Sequence, residues 1–158
     1  MSDSKRLILG VNIAAGEAYF ALARDDGSLN LSEPVDMSPS NALSGAVQLQ
    51  EFGSRFVQEV RRLGVSLVGV AHPRPRQRGW GYEDAFARAA LEVSMMLVLH
   101  DAGIPCRSVA QHKAAKLCGF AEPNTAPQNL KHLTNPKTKY WEKRSVAAMV
   151  ALALLKES

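Results

Sequence analysis

The chain has 158 residues, the size of one domain and enough to bury a single core. Hydrophobic residues make up 46% and charged residues 22%, an ordinary globular balance that excludes a disordered or fibrous chain. A formal charge of +4 admits polyanionic partners but says nothing of the fold.

Residues 6–13 are rich in branched apolar side chains and predict a buried strand. After the tight turn Ala14, Ala15, Gly16, the alternation of Ala18, Phe20 and Leu22 predicts a partner strand over Glu17–Arg24. Asp25, Asp26 and Gly27 then signal a hairpin into a poorer third strand over residues 28–35, which Pro34 ends or confines to an edge. From Gly45 to Leu63, Val47, Leu49, Phe52, Phe56, Val57, Val60 and Leu63 recur at helical spacing, and Gly64 closes that helix. Residues 65–71 form a second continuous apolar run, a central strand parallel to the first.

The stretch 72–82, with two prolines and two glycines, is a basic loop leaving the carboxyl end of that strand. A long helix follows to His100, with Phe86, Ala89, Ala90, Val93, Met96, Leu97 and Leu99 expected to face inward. Residues 104–109 predict a further parallel central strand, and Gln111–Leu117 a short helix. Residues 121–136, with three prolines, form a long connector, and the alanine-rich residues 140–155 a last helix lying flat on the sheet. Strands first, then alternating helix and strand, predict a single α/β domain over residues 1–158. Its form is a three-layer sandwich, a mixed sheet of antiparallel meander then parallel strands, with helices on both faces.

No apolar run approaches the roughly 20 residues of a membrane helix. Cys106 and Cys118 lie in no CxxC pair and beside no ligand-spaced histidines, which argues against zinc. Two thiols and no signal-type segment predict a reduced, cytoplasmic protein, with both cysteines serving as small apolar residues.

The order of elements resembles the RNase H-like superfamily, especially its RuvC-like resolvase branch. The matching stretches are Ile8-Leu9-Gly10-Val11-Asn12, Val68-Gly69-Val70-Ala71-His72, Ala102-Gly103-Ile104-Pro105, Gln111-His112-Lys113 and the last helix. It also resembles a family of small bacterial RNase H-like proteins that share a leucine–glutamate pair, here Leu91-Glu92, after a basic, glycine-containing loop. The resemblance implies a magnesium-dependent nuclease with carboxylates on the first strand, at the end of the fourth, and on the last helix. This chain carries Asn12, Ala71-His72 and the run Val146 to Ala151, including Met149, at those places. Two-metal cleavage needs closely spaced carboxylates. The departures therefore imply no catalytic residues, no metal ligands and no cofactor, with Mg²⁺ entering only if atypical ligands hold it.

Asn12 and His72 are expected to form a remnant pocket at the carboxyl ends of adjacent strands, where open α/β sheets place ligands. Arg74 and Arg76 alternate with Pro73 and Pro75, Arg78 follows, and Trp80 and Tyr82 come next, so an extended loop can project cations along a phosphate backbone and offer aromatics to unpaired bases. Lys131, Lys137, Lys139, Lys143 and Arg144, with Tyr140 and Trp141, form a second basic-aromatic segment, and Lys113 and Lys116 share one face of a short helix. Together these predict binding of DNA or RNA. The alternatives are an active nuclease with unusual ligands, or an interaction or scaffold subunit without nucleic acid. Either long helix offers an apolar face to a protein partner or a second copy.

Overall fold

A computed structural model of the chain describes residues 6–14, 16–32, 34–72, 81–134 and 138–157. The strands are β1 (Leu7–Ala14), β2 (Glu17–Arg24), β3 (Leu29–Asn30), β4 (Asp36–Met37), β5 (Leu67–His72) and β6 (Cys106–Ala110). The helices are α1 (Gly45–Leu63), α2 (Tyr82–Asp101), α3 (Gln111–Leu117), α4 (Ala126–Asn129) and α5 (Trp141–Glu157). Neighbouring strands follow the order β3-β2-β1-β5-β6, with β4 also paired to β2. β1 runs antiparallel to β2 and parallel to β5, and β5 runs parallel to β6.

The three-layer arrangement expected from the sequence is the one that forms. One face of the sheet packs Leu9, Val11, Phe20, Val68 and Val70 against Phe52, Phe56 and Val60 of α1 and Leu91, Met95 and Leu99 of α2. The rings of Phe20 and Phe56 stack with centroids 6.0 Å apart. The opposite face packs Ile8, Ala21, Ala23, Ala71 and Val109 against α3, α4 and α5. Among the described residues no helix is long and apolar enough to cross a membrane.

Four expectations need correction. The third strand is two short pieces, β3 and β4, which pair with β2 at separate places, Leu22–Ala23 and Ala18–Tyr19. β6 is parallel as expected but lies at the end of the strand order, not at its centre. The connector contains α4 and two 3₁₀ turns, Pro123–Thr125 and Lys131–Leu133. Most consequentially, α2 is rotated from the expected face. Phe86, Val93 and Leu97 are exposed, while Arg88, Leu91, Met95 and Leu99 point inward. An alanine-rich helix with two apolar stripes does not specify which stripe is buried, and the buried one here begins with an arginine. Val47 of α1 is also exposed, because it lies in the first turn, before the buried stripe starts at Phe52.

Every residue of α5 from 147 to 154 is buried, so its backbone must come close to the sheet. Two glycines allow this. A Cβ at Gly10 would sit 1.8 Å from the Ala147 carbonyl oxygen, and one at Gly69 would sit 2.4 Å from Leu154 Cδ1. The first collision is with backbone and cannot be relieved by a rotamer change. Gly10→Val is therefore expected to cost at least about 3 kcal/mol in urea denaturation. A cost within about 0.5 kcal/mol, the range of an ordinary surface substitution, would contradict this packing.

Candidate functional site

The carboxyl ends of β1 and β5 meet the first turn of α5. Strand alternation puts Ile8, Gly10 and Asn12 on the α5 face, and Asn12, 8% exposed, donates its amide N–H to the Lys143 carbonyl at 3.0 Å. The short turn between β1 and β2 fixes a register in which Asn12 lies opposite Tyr19. Lys143 Nζ donates to the Tyr19 hydroxyl at 3.3 Å and lies 4.9 Å from the ring centroid. Burial pushes the Tyr19 phenol up. The bond from Lys143 opposes that shift and the bond to Glu17 adds to it, so the group stays neutral near pH 7.

The ring of Tyr140 meets Tyr19 edge-on at 5.5 Å. Tyr140 holds φ +56°, a left-handed conformation unusual for a bulky residue, and α5 therefore starts at Trp141 rather than one residue earlier. Such strain costs about 1–3 kcal/mol and often accompanies functional sites. Half of the Tyr140 side chain remains exposed. Trp141 packs against the core and donates its indole N–H to the Pro127 carbonyl.

The other face of the same strand ends is built differently. Val68, Val70 and His72 point toward α2, and His72 Nδ1 lies 3.3 Å from Ser108 Oγ. That hydroxyl donates to Glu92 at 3.3 Å. Having spent its one proton on Glu92, it accepts from Nδ1–H of His72, which leaves Nε2 of the ring as the acceptor. A serine placed between the carboxylate and the histidine is the wrong order for an activated nucleophile. Gln111 donates to the His72 carbonyl.

Arg88 of α2 is 6% exposed and donates to the carbonyl oxygens of Ile13 and Ala71, clamping the ends of β1 and β5 together. Burial lowers its pKa and Glu92, one turn on, counters that, but a guanidinium remains charged. Glu92 thus faces β6 across the helix and not open solvent.

These positions correct the expected pocket. Asn12 and His72 sit on adjacent strands, but their side chains lie on opposite faces of the sheet. In register, Asn12 falls beside Ala71, and those two share the α5 face. The groups gathered there are the Asn12 amide, the Ala71 methyl, the Tyr19 phenol and the Lys143 ammonium, with Glu17 next to Tyr19 as a single carboxylate. A magnesium site of the kind the sequence resemblance implies needs several carboxylate oxygens, so this donor set does not fit one. Among the described residues, no three His, Cys, Asp or Glu side chains are grouped to hold a metal ion.

Arg74, Arg76, Arg78 and Trp80 lie outside the described residues, as does the side chain of Tyr82, which opens α2. The loop that carries them leaves the carboxyl end of β5 directly after His72. Lys139 is exposed and Lys143 half-buried beside it in sequence. Lys113 is exposed and pairs with Glu157 at 3.3 Å, and Arg107 shares that carboxylate. Glu157 is at the far end of α5 from Lys143, and 14 residues of helix span roughly 20 Å. Lys116, also exposed, is on α3 with Lys113. Among the described residues, the predicted surface lysines therefore occupy two regions rather than one. Arg144 belongs to neither. It is 1% exposed, and its Nε donates to the Phe20 carbonyl at 2.8 Å, so it anchors α5 to β2 and is not a backbone-phosphate contact.

Sequence reasoning overlooked Tyr19 and Arg88, and took Tyr140 only as part of a basic-aromatic segment. Tyr19 was legible, since the tight turn already pairs it with Asn12. The left-handed Tyr140 left no signal.

No protein-family model and no curated protein matches this sequence. Solved structures do match in fold. The chain superposes on RuvC of Thermus thermophilus with TM-score 0.70 and 13% identity, over 93% of this chain and 92% of that one. The T. thermophilus RuvC in complex with a Holliday junction substrate gives 0.68 and 13%, over 94% and 91%. Ydc2, the yeast mitochondrial Holliday junction resolvase, gives 0.68 and 12%, over 94% of this chain and 77% of that one. The fold is thus RNase H-like and RuvC-like.

Cys106 sits on β6 near Glu92, and burial, assisted by that carboxylate, pushes its thiol up to about 11. The folded-state value lies above the ordinary 9.0, so the stability gained from the neutral thiol is full below pH 9 and lost as pH rises toward 11. Iodoacetamide should alkylate Cys106 roughly a hundredfold more slowly than free cysteine at pH 8. Peptide mass spectrometry checks this, and modification at the free-cysteine rate would contradict the buried position.

Proposed function

We propose that this chain is a nucleic-acid-binding RNase H-like domain that does not carry out efficient magnesium-dependent cleavage. The observation that carries this reading is the bond from Asn12 to the Lys143 carbonyl. It joins the end of β1 to the start of α5, the two elements whose carboxylates the resemblance would have bridge metal ions. Here a direct neutral hydrogen bond makes that junction, with a cation beside it.

A cationic junction repels divalent metal but suits phosphate. Lys139, Lys143 and the loop residues Arg74, Arg76, Arg78, Trp80 and Tyr82 supply backbone contacts and aromatic faces around the carboxyl end of the sheet. Tyr140, exposed and braced on Tyr19, adds a face on which an unpaired base can stack. Lys113 and Lys116 provide a second contact region. The Lys113–Glu157 pair is half-exposed, and such pairs contribute at most about 1 kcal/mol, so phosphate can displace the carboxylate. Two contact regions roughly 20 Å apart suit a duplex or branched substrate better than a short single strand. The RuvC solved with its Holliday junction substrate supports nucleic acid as the ligand class.

The test is fluorescence anisotropy with single-stranded, duplex and branched oligonucleotides across a salt series. Replacing Arg74, Arg76 and Arg78 together by alanine should weaken binding and flatten the slope of log affinity against log salt by about 2–3 units. Circular dichroism should be unchanged. Absence of wild-type binding at low salt would overturn the proposal and favour the scaffold reading.

A further inference from the structure

A cleft of about 460 Å³ opens between β3 and the start of α5, on the far side of Arg144 from Asn12. Leu29, Leu31 and Leu133 form aliphatic walls, and Ser32, Lys139 and the buried Arg144 stand in the lining. Arg144 is almost wholly buried, yet only two of its five N–H groups are used among the described residues. Nε donates to Phe20 O, and Nη2 donates to Pro34 O at 3.4 Å. No described residue accepts from Nη1. The Nη1 edge, with the second proton of Nη2, leaves an end-on fork of parallel donors, the geometry that recognises a carboxylate or phosphate.

We propose that this cleft binds a small amphiphilic anion, a carboxylate or phosphate head carried on an aliphatic body. The head would take the Arg144 fork with Lys139 alongside, and the body would lie against the three leucines. The volume falls in the range of small-molecule sites, as does the pattern of apolar walls with a few convergent polar groups. A wholly buried arginine is also costly as a mere anchor. A neutral donor could satisfy the Phe20 carbonyl, whereas a guanidinium whose fork no described residue takes, its charge offset by Asp36, has capacity for an anion. The site differs from the nucleic-acid surface in its central group, because the buried Arg144 cannot reach a duplex backbone, while Lys139 borders both.

Four probes separate head from body in an NMR shift titration of the full chain: hexyl phosphate, hexanoate, inorganic phosphate and hexanol. Hexyl phosphate or hexanoate should bind with Kd on the order of 1 mM, the value expected for ligands of this size. Inorganic phosphate and hexanol should each bind at least about tenfold more weakly than the better amphiphile, and the tighter of the two amphiphiles identifies the preferred head group. Arg144→Lys should weaken the amphiphile at least about tenfold by removing the fork while keeping the charge. Should that variant fail to fold, Leu31→Trp carries the test: it fills the cleft from one wall and should abolish amphiphile binding while leaving oligonucleotide affinity unchanged. The proposal is overturned if none of the four probes binds up to about 10 mM, or if hexyl phosphate binds Leu31→Trp as well as it binds the wild type.

Discussion

The close seating of α5 on β1 and β5 is the constraint from which the rest of the structure follows. Without side chains at Gly10 and Gly69, the helix settles against strand backbone, and its residues 147–154 are all buried. That depth brings the Lys143 carbonyl within reach of Asn12 and the Arg144 guanidinium within reach of the Phe20 carbonyl. One residue apart on the same turn, Lys143 and Arg144 therefore serve opposite edges of the helix. Lys143 faces the strand ends and the two tyrosines, and Arg144 faces the cleft beside β3.

The strand ends are closed from both sides. On the α2 face, Arg88 takes the carbonyls of Ile13 and Ala71. On the α5 face, Asn12 bonds the first turn of the helix. Both tethers bring donors, and one brings a buried positive charge, where a divalent-cation site would need acceptors. The described cations at the carboxyl end of this sheet thus favour anions, with Glu17 and Asp36 the carboxylates near Tyr19. This supports a surface that meets phosphate over one that activates water on a metal.

Much of the fold was legible in the chain because single features specified it. The uninterrupted apolar runs around Val11 and Val70 require strands covered on both faces, and the short turn at Gly16 leaves one possible register. The 3.6-residue spacing of Phe52, Phe56 and Val60 defines the buried stripe of α1. The rotation of α2 was not legible, since Phe86, Val93 and Leu97 make as good a stripe as Leu91, Met95 and Leu99. Only tertiary contact, with Arg88 reaching two strand carbonyls, decides between them. The site was half legible. Asn12 stood out as an amide at a strand end, but its partnership with His72 failed on strand alternation, which sends neighbouring residues Ala71 and His72 to opposite faces. Arg144 looked like part of a basic run because charge patterning carries no information on depth.

The most direct test of this account is paramagnetic broadening of the ¹⁵N-labelled protein by Mn²⁺, with a branched DNA oligonucleotide present. The account predicts DNA-induced shifts at Lys139, Tyr140 and Lys143, with no Mn²⁺ broadening centred on Asn12, Ala71 or the first turn of α5. Broadening that centres on Asn12 and disappears in Asn12→Ala would contradict it, and would establish a metal site at the strand ends.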